Sequence, residues 1–144
     1  MICIVVGMIL LLVHRIGAAE SYVCVEEMAT GFAPEKNGKG WKEASFNAKD
    51  KFVIRKPKPG ETGRMEYAWV VTTVGMQEVD SYCDKDFDKY GAIRCRGFYH
   101  FNFNKRSLRF LKASTMGYWE ATQGAASPLG TLTPYMSIGK CSSL

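Results

Sequence analysis

The sequence is poor in histidine and has no Cys-x-x-Cys pair. Among its 144 residues the two histidines are His14 and His100, and the five cysteines are widely spaced. Structural zinc sites need four closely spaced cysteine or histidine ligands, and nucleotide and cofactor motifs are missing as well. We therefore predict no metal site and no cofactor, and the motifs assign no catalytic residue.

Helical periodicity is also nearly absent. Short stretches rich in valine, isoleucine, threonine and aromatic residues alternate with glycine, proline, asparagine and lysine clusters, which is typical of strands joined by turns. A single helical turn is expected within residues 78–90. Strands are predicted at residues 22–27, 40–46, 51–56, 65–74, 92–103, 108–119 and 134–141. They indicate an all-β fold, a single small antiparallel meander that closes into a barrel or folds as a two-layer sandwich.

The clearest local prediction is a hairpin around a four-residue loop at 104–107. Pairing Phe103 with Leu108 would place Phe101 opposite Phe110, so that four apolar side chains share one face. The hairpin is therefore expected to bury one face and expose the other.

An uncharged apolar leader at residues 2–13 begins the chain. It is too short to span a bilayer comfortably, since a transmembrane helix needs about 20 residues. Gly17-Ala18-Ala19 supplies the small residues that signal peptidase requires, so residues 1–19 are predicted to be a signal peptide. Basic residues do not precede the run, and Arg15 follows it; the alternative is an uncleaved anchor.

Four cysteines remain after the leader: Cys24, Cys83, Cys95 and Cys141. An even number indicates two disulfides in a protein outside the cytosol. Of the three possible pairings we favour Cys83 with Cys95, which are close in sequence, and Cys24 with Cys141, which would tie the first strand to the last. Export to the periplasm or the extracellular space is therefore expected.

Residues 20–144 are predicted to form one domain with 18 basic and 14 acidic side chains, a net charge of +4. This mild excess favours an acidic protein or an anionic envelope polymer as partner, and nucleic acid is disfavoured because the hairpin buries its aromatic residues. Membrane contact is expected only through an uncleaved leader, and the oligomeric state is open. The candidate binding surface consists of Lys56, Lys58, Arg64, Arg106 and Arg109, and the loop at 124–134 is a further candidate contact.

Other chemistry depends on His100 or on carboxylates. His100 would be the base of any Ser-His catalysis, yet its predicted position on the outer hairpin face with Asn102 and Arg109 indicates a surface residue. A glycosidase-type pair would draw on Glu26, Glu27, Glu43, Glu66 and Glu120 by residue type alone.

The aspartates Asp84, Asp86 and Asp88 alternate as in the first half of a calcium loop. The second half fails, because Lys89 replaces the glycine of the sharp turn and Cys95 replaces the bidentate glutamate. A solvated acidic turn is the preferred interpretation.

Several segments together resemble a group of small exported bacterial β-rich proteins with no established activity. They are Thr30-Gly31-Phe32, Trp41, Cys83-Asp84-Lys85-Asp86-Phe87, Phe103-Asn104-Lys105-Arg106-Ser107-Leu108-Arg109-Phe110 and Pro134-Tyr135-Met136-Ser137-Ile138-Gly139-Lys140-Cys141. The resemblance implies an exported location and a β architecture, and it implies no activity.

The sequence thus favours an exported binding or inhibitor-type module that lacks enzymatic activity. Two alternatives stay open. One is a small secreted hydrolase that uses a carboxylate pair or His100. The other is a barrel that carries a small apolar ligand in its interior.

Overall fold

A computed structural model describes residues 20–36, 40–118 and 133–144. The predicted leader, its cleavage site and most of the 124–134 loop lie outside these ranges. Within them the chain forms nine strands and no helix, and it therefore contains no helix able to cross a membrane. The strands are β1 (Tyr22–Pro34), β2 (Trp41–Phe46), β3 (Lys51–Arg55), β4 (Trp69–Thr73), β5 (Ser81–Cys83), β6 (Ala92–Gly97), β7 (His100–Asn104), β8 (Arg109–Ser114) and β9 (Tyr135–Ser143).

The strands form a closed antiparallel barrel. Eight of those described follow the order β1-β3-β4-β5-β6-β7-β8-β9, and β9 pairs again with β1 to close the ring. Strand β1 is long enough to pair with β3 through Tyr22–Val25 and with β2 through Ala29–Pro34. Strand β2 therefore extends the sheet beyond the ring. The prediction of an all-β meander that closes on itself is confirmed.

Two predicted elements are wrong. The expected single strand at 92–103 is two strands, because the chain bends at Phe98 and Tyr99, where the Phe98 amide donates to the Asp80 carbonyl. The helical turn expected within 78–90 is replaced by β5, whose Ser81 and Cys83 are fully buried. Burial on the barrel interior favours extended backbone for this short segment.

The predicted hairpin exists with a different register. Phe103 lies opposite Phe110, not Leu108, and Asn104 lies opposite Arg109. The shift is two residues, and because side chains alternate with a period of two, the faces are unchanged. Phe101, Phe103 and Phe110 point inward as expected.

Aromatic side chains and two disulfides fill the interior. The Phe101 and Phe110 rings stack with centroids 5.0 Å apart, and the Phe52 ring lies edge-on to both. The buried core consists of Tyr22, Cys24, Phe52, Ile54, Trp69, Val71, Cys83, Ile93, Cys95, Phe101, Phe103, Phe110 and Cys141.

Each disulfide joins neighbouring strands. Cys24 lies directly opposite Cys141 where β1 meets β9, and Cys83–Cys95 links β5 to β6. Both favoured pairings are confirmed. The Cys24–Cys141 bridge fastens the strand pair that closes the barrel, and the bridges indicate an oxidising compartment outside the cytosol.

Gly139 is required by close packing between β9 and β1. A Cβ atom at this position would lie 2.7 Å from Phe110 Cε1 and closer still to the Val25 carbonyl oxygen. We expect Gly139→Ala to destabilise the protein by about 1–3 kcal/mol through overpacking, measured by urea unfolding. A variant as stable as the wild type would contradict this packing.

Candidate functional site

The apical end of the barrel, formed by the loops at 47–50, 74–80 and 98–99, contains a buried charged cluster. Lys112 is 1% exposed, and its Nζ lies 3.1 Å from Glu26 Oε1. The Ser137 hydroxyl donates to the same oxygen at 2.6 Å, and the Asp50 amide donates to Glu26 Oε2 at 3.3 Å. The Asp50 carboxylate lies 3.7 Å from Lys112 Nζ at the half-exposed edge of the cluster.

Three aromatic rings surround the Lys112 ammonium. Its Nζ lies 4.2 Å from the ring centroid of Phe52, 4.5 Å from that of Tyr99 and 5.2 Å from that of Tyr135. Ring faces attract cations, so the rings and the Glu26 carboxylate both stabilise the charged ammonium. Burial raises the pKa of Tyr99 and of Tyr135, and the nearby Tyr99 raises that of Tyr135 further. Both hydroxyls therefore stay neutral beside the cluster.

The cluster is a buried ion pair and does not have the features of a nucleophilic lysine site. A nucleophilic lysine must be neutral and accessible, whereas Lys112 is buried and ion-paired. Glu26 accepts hydrogen bonds from the Ser137 hydroxyl and the Asp50 amide in addition to its ion pair with Lys112. In the described residues, Ser114 Oγ is the one buried side-chain polar atom without a partner.

The Lys112–Glu26 pair was not identified from the sequence. A signal was available, because a side chain two residues after the inward Phe110 must also point inward. Glu26 follows Cys24 in the same way. The alternation of strand side chains therefore indicates that Lys112 and Glu26 point inward. That the two side chains contact each other follows only from the β1–β9–β8 strand order.

The basal end, formed by the loops at 56–68, 84–91 and 105–108, brings together most of the predicted binding surface. Lys56, Lys58 and Arg64 lie on the first loop and Arg106 on the third, while Arg109 begins β8 beside it. Contacts between the loops confirm that they share one end: Lys56 Nζ lies 3.5 Å from Asp86 Oδ2. Lys105 Nζ lies 3.5 Å from Glu20 Oε1.

The 56–68 loop is fixed by a bidentate ion pair. Arg55 donates to both Glu61 carboxylate oxygens at 2.6 and 2.8 Å, and the Lys58 amide donates to Glu61 at 2.9 Å. Arg55, Lys58 and Glu61 line a surface hollow of about 520 Å³. This hollow extends along the outside of β3 and β4 to Met76 and Gln77 of the apical 74–80 loop. Lys58 and Arg64 themselves are exposed.

The Arg55 contact makes the stability of this loop depend on pH. Hydrogen bonding from Arg55 lowers the pKa of Glu61 from 4.5 to about 2. Because the folded pKa is the lower one, the contribution is complete above 4.5 and is lost as the pH falls toward 2. In urea unfolding at pH 6, 4 and 2.5, Glu61→Gln should be destabilised most at pH 6, and its gap to the wild type should shrink at pH 4 and further at pH 2.5. A gap independent of pH would contradict this role.

The alternating aspartates make local contacts. Asp86 Oδ1 accepts from Trp69 Nε1 at 2.7 Å and from the Phe87 amide at 2.8 Å, while Asp88 Oδ1 accepts from the Tyr90 and Ala92 amides at 2.9 Å. Within the described residues these carboxylates do not form a cluster suited to a metal ion. Their contacts shape the 84–91 loop.

The candidate catalytic residues are dispersed. His100 is exposed on the outer face, as expected, opposite Ala113. Glu66 is exposed on the basal loop, Glu43 is exposed on β2, and Glu27 pairs with Lys140 at 2.8 Å. Glu120 lies outside the described residues.

Comparisons cannot assign the chain to a family. Neither the family models, nor the curated proteins, nor the solved structures that were searched contain a match. The resemblance to small exported bacterial proteins therefore stays a prediction, and the function must be argued from the barrel itself.

Proposed function

We propose that this chain is an exported, non-enzymatic binding module whose basal end binds an anionic polymer of the cell envelope or extracellular space. The observation that carries the proposal is that the two loops bearing Lys56, Lys58, Arg64 and Arg106 leave the barrel at the same end. The first three residues lie on the 56–68 loop, and Arg106 comes from the 105–108 loop.

The scaffold suits such a role. Both disulfides lie within the sheet and the interior is filled with side chains, so the loops project from a rigid base. Rigid presentation lowers the entropic cost of binding. The filled interior also argues against the alternative of a barrel that carries an apolar ligand, since such a ligand needs an open cavity.

An extended polymer fits the basal end better than a compact ligand. The cations are spread over separate loops, and one of them, Lys56, already has Asp86 as an acidic partner. A repeating anion can engage spread charges one at a time, and its binding should weaken with salt because exposed charges are screened.

The test compares two triple variants of equal charge. Lys58→Gln/Arg64→Gln/Arg106→Gln neutralises the basal end, and Lys36→Gln/Lys42→Gln/Lys49→Gln neutralises three exposed lysines elsewhere. With dextran sulfate at low salt, each basal charge is worth roughly 0.5 kcal/mol, which predicts about tenfold weaker binding for the basal variant.

The control variant should bind nearly as well as the wild type. Equal losses in both variants would show an effect of net charge alone and would overturn the proposal. A wild-type protein that fails to bind dextran sulfate at low salt would overturn it as well.

A further inference from the structure

A second surface on the barrel wall has a different character from the basal end. Strands β1, β9 and β8 are neighbours, and their outward side chains place Met28 opposite Ile138 and Ile138 opposite Leu111. We call this surface the β8–β9 face. It consists of Val25, Met28, Leu111, Met136 and Ile138, each 36–65% exposed.

Basic side chains border the β8–β9 face. Arg109 and Lys140 lie opposite each other one row below the Leu111–Ile138 pair, and Arg94 lies across β7 in the row of Leu111, facing outward. A shallow hollow of about 460 Å³ is lined by Arg94, Asn102, Arg109 and Leu111, among others. The hollow thus joins two guanidinium groups to the edge of the apolar surface.

Few carboxylates offset these cations. Glu27 is paired with Lys140, and Asp88 near Arg94 is turned toward the Tyr90 and Ala92 amides. Neither Arg94 nor Arg109 forms a salt bridge among the described residues, although Asp88 lies near Arg94. An exposed apolar patch beside exposed arginines is typical of surfaces that enter the boundary of an anionic lipid layer. The apolar side chains can enter the acyl boundary while the arginines meet phosphate groups.

The start of the described chain at Glu20 is compatible with a position of the β8–β9 face near a lipid surface. Strand β1 borders the face and begins at the basal end, where Glu20 contacts Lys105. Seven residues separate the apolar run at 2–13 from Ser21, which limits their span to roughly 25 Å. If the leader is uncleaved, it would therefore hold the basal end of β1, the strand that carries Val25 and Met28 of the β8–β9 face, close to the lipid surface.

We propose that the β8–β9 face docks on an anionic lipid surface, with a lipid phosphate seated between Arg94 and Arg109. This goes beyond the polymer-binding role, since it uses a different wall of the barrel. A second copy of this chain is the alternative occupant, which the experiment below distinguishes.

The test measures how deeply a tryptophan on the β8–β9 face enters the bilayer. Insertion of the leader alone would bind the chain to vesicles without bringing that tryptophan into the lipid. The full chain is prepared with Ile138→Trp, and a matched chain with Met76→Trp at an exposed apolar position far from the face. Both are added to vesicles of phosphatidylcholine and phosphatidylglycerol that contain brominated lipid, and tryptophan quenching is measured. Urea unfolding confirms that both variants are folded.

After the signal of the three native tryptophans, measured in the wild-type chain, is subtracted, the Ile138→Trp probe should be quenched about twofold more than the Met76→Trp probe. The difference should fall when Arg94→Gln/Arg109→Gln is added and in vesicles of phosphatidylcholine alone. Equal quenching of both probes would overturn the proposal. A blue shift of the Ile138→Trp emission that depends on protein concentration without vesicles would also overturn it, in favour of a second copy. Neither result bears on dextran sulfate binding at the basal end.

Discussion

Removing the Cys24–Cys141 bridge is expected to destabilise the protein by about 5 kcal/mol, the largest effect of any change considered. The bridge spans 117 residues of sequence, and in the loop-entropy description a crosslink restricts the unfolded chain more as the loop grows. It also fastens the β1–β9 junction that closes the barrel. Urea unfolding of Cys24→Ala/Cys141→Ala measures the loss.

The second bridge is the matched control. Cys83 and Cys95 are separated by 12 residues, so Cys83→Ala/Cys95→Ala should cost about 3 kcal/mol by the same relation. Both pairs are buried and join adjacent strands, so the two variants remove similar packing. If the short-loop variant were the less stable of the two, loop length would not govern the contribution of these bridges.

The second large effect is expected for the buried Lys112–Glu26 pair. Lys112→Met leaves the Glu26 carboxylate buried without its cation, and breaking a buried pair in this way costs about 3–5 kcal/mol. The half-exposed Asp50 cannot compensate, because it is itself acidic. Urea unfolding at neutral pH measures the loss.

A double variant separates charge burial from packing. Lys112→Met/Glu26→Leu removes both charges, and because buried pairs often contribute little net stability, it should recover to within about 1–2 kcal/mol of the wild type. The Ser137 hydroxyl then loses its acceptor, which accounts for part of the remaining cost. A double variant as unstable as the single one would show that the contacts of the Lys112 ammonium with the Phe52, Tyr99 and Tyr135 rings are themselves stabilising.

The sequence predicted the elements of the barrel better than their junctions. Alternation in the hairpin marked Phe101, Phe103 and Phe110 as inward-facing positions, because strand side chains alternate with a period of two. The bend at Phe98–Tyr99 was missed, since the run from residue 92 to 103 has no proline to mark it. It depends on a backbone contact with Asp80 from another part of the chain.

The candidate surfaces show the same limit. Each basic residue of the basal end was recognisable by type, but its neighbours depend on which loops share an end of the barrel. The β8–β9 face needed the β1–β9 pairing, which brings Met28 beside Ile138 across more than one hundred residues. Such long-range neighbours do not follow from local periodicity.

The central claim is that the basic loops at the basal end of the barrel bind an anionic polymer. The most direct test is to record backbone amide NMR spectra of the isotope-labelled protein during titration with dextran sulfate at low salt. The account predicts shifts concentrated at residues 56–64 and 105–108. Shifts concentrated at Glu26, Tyr99 and Lys112, or no shifts at all, would contradict it.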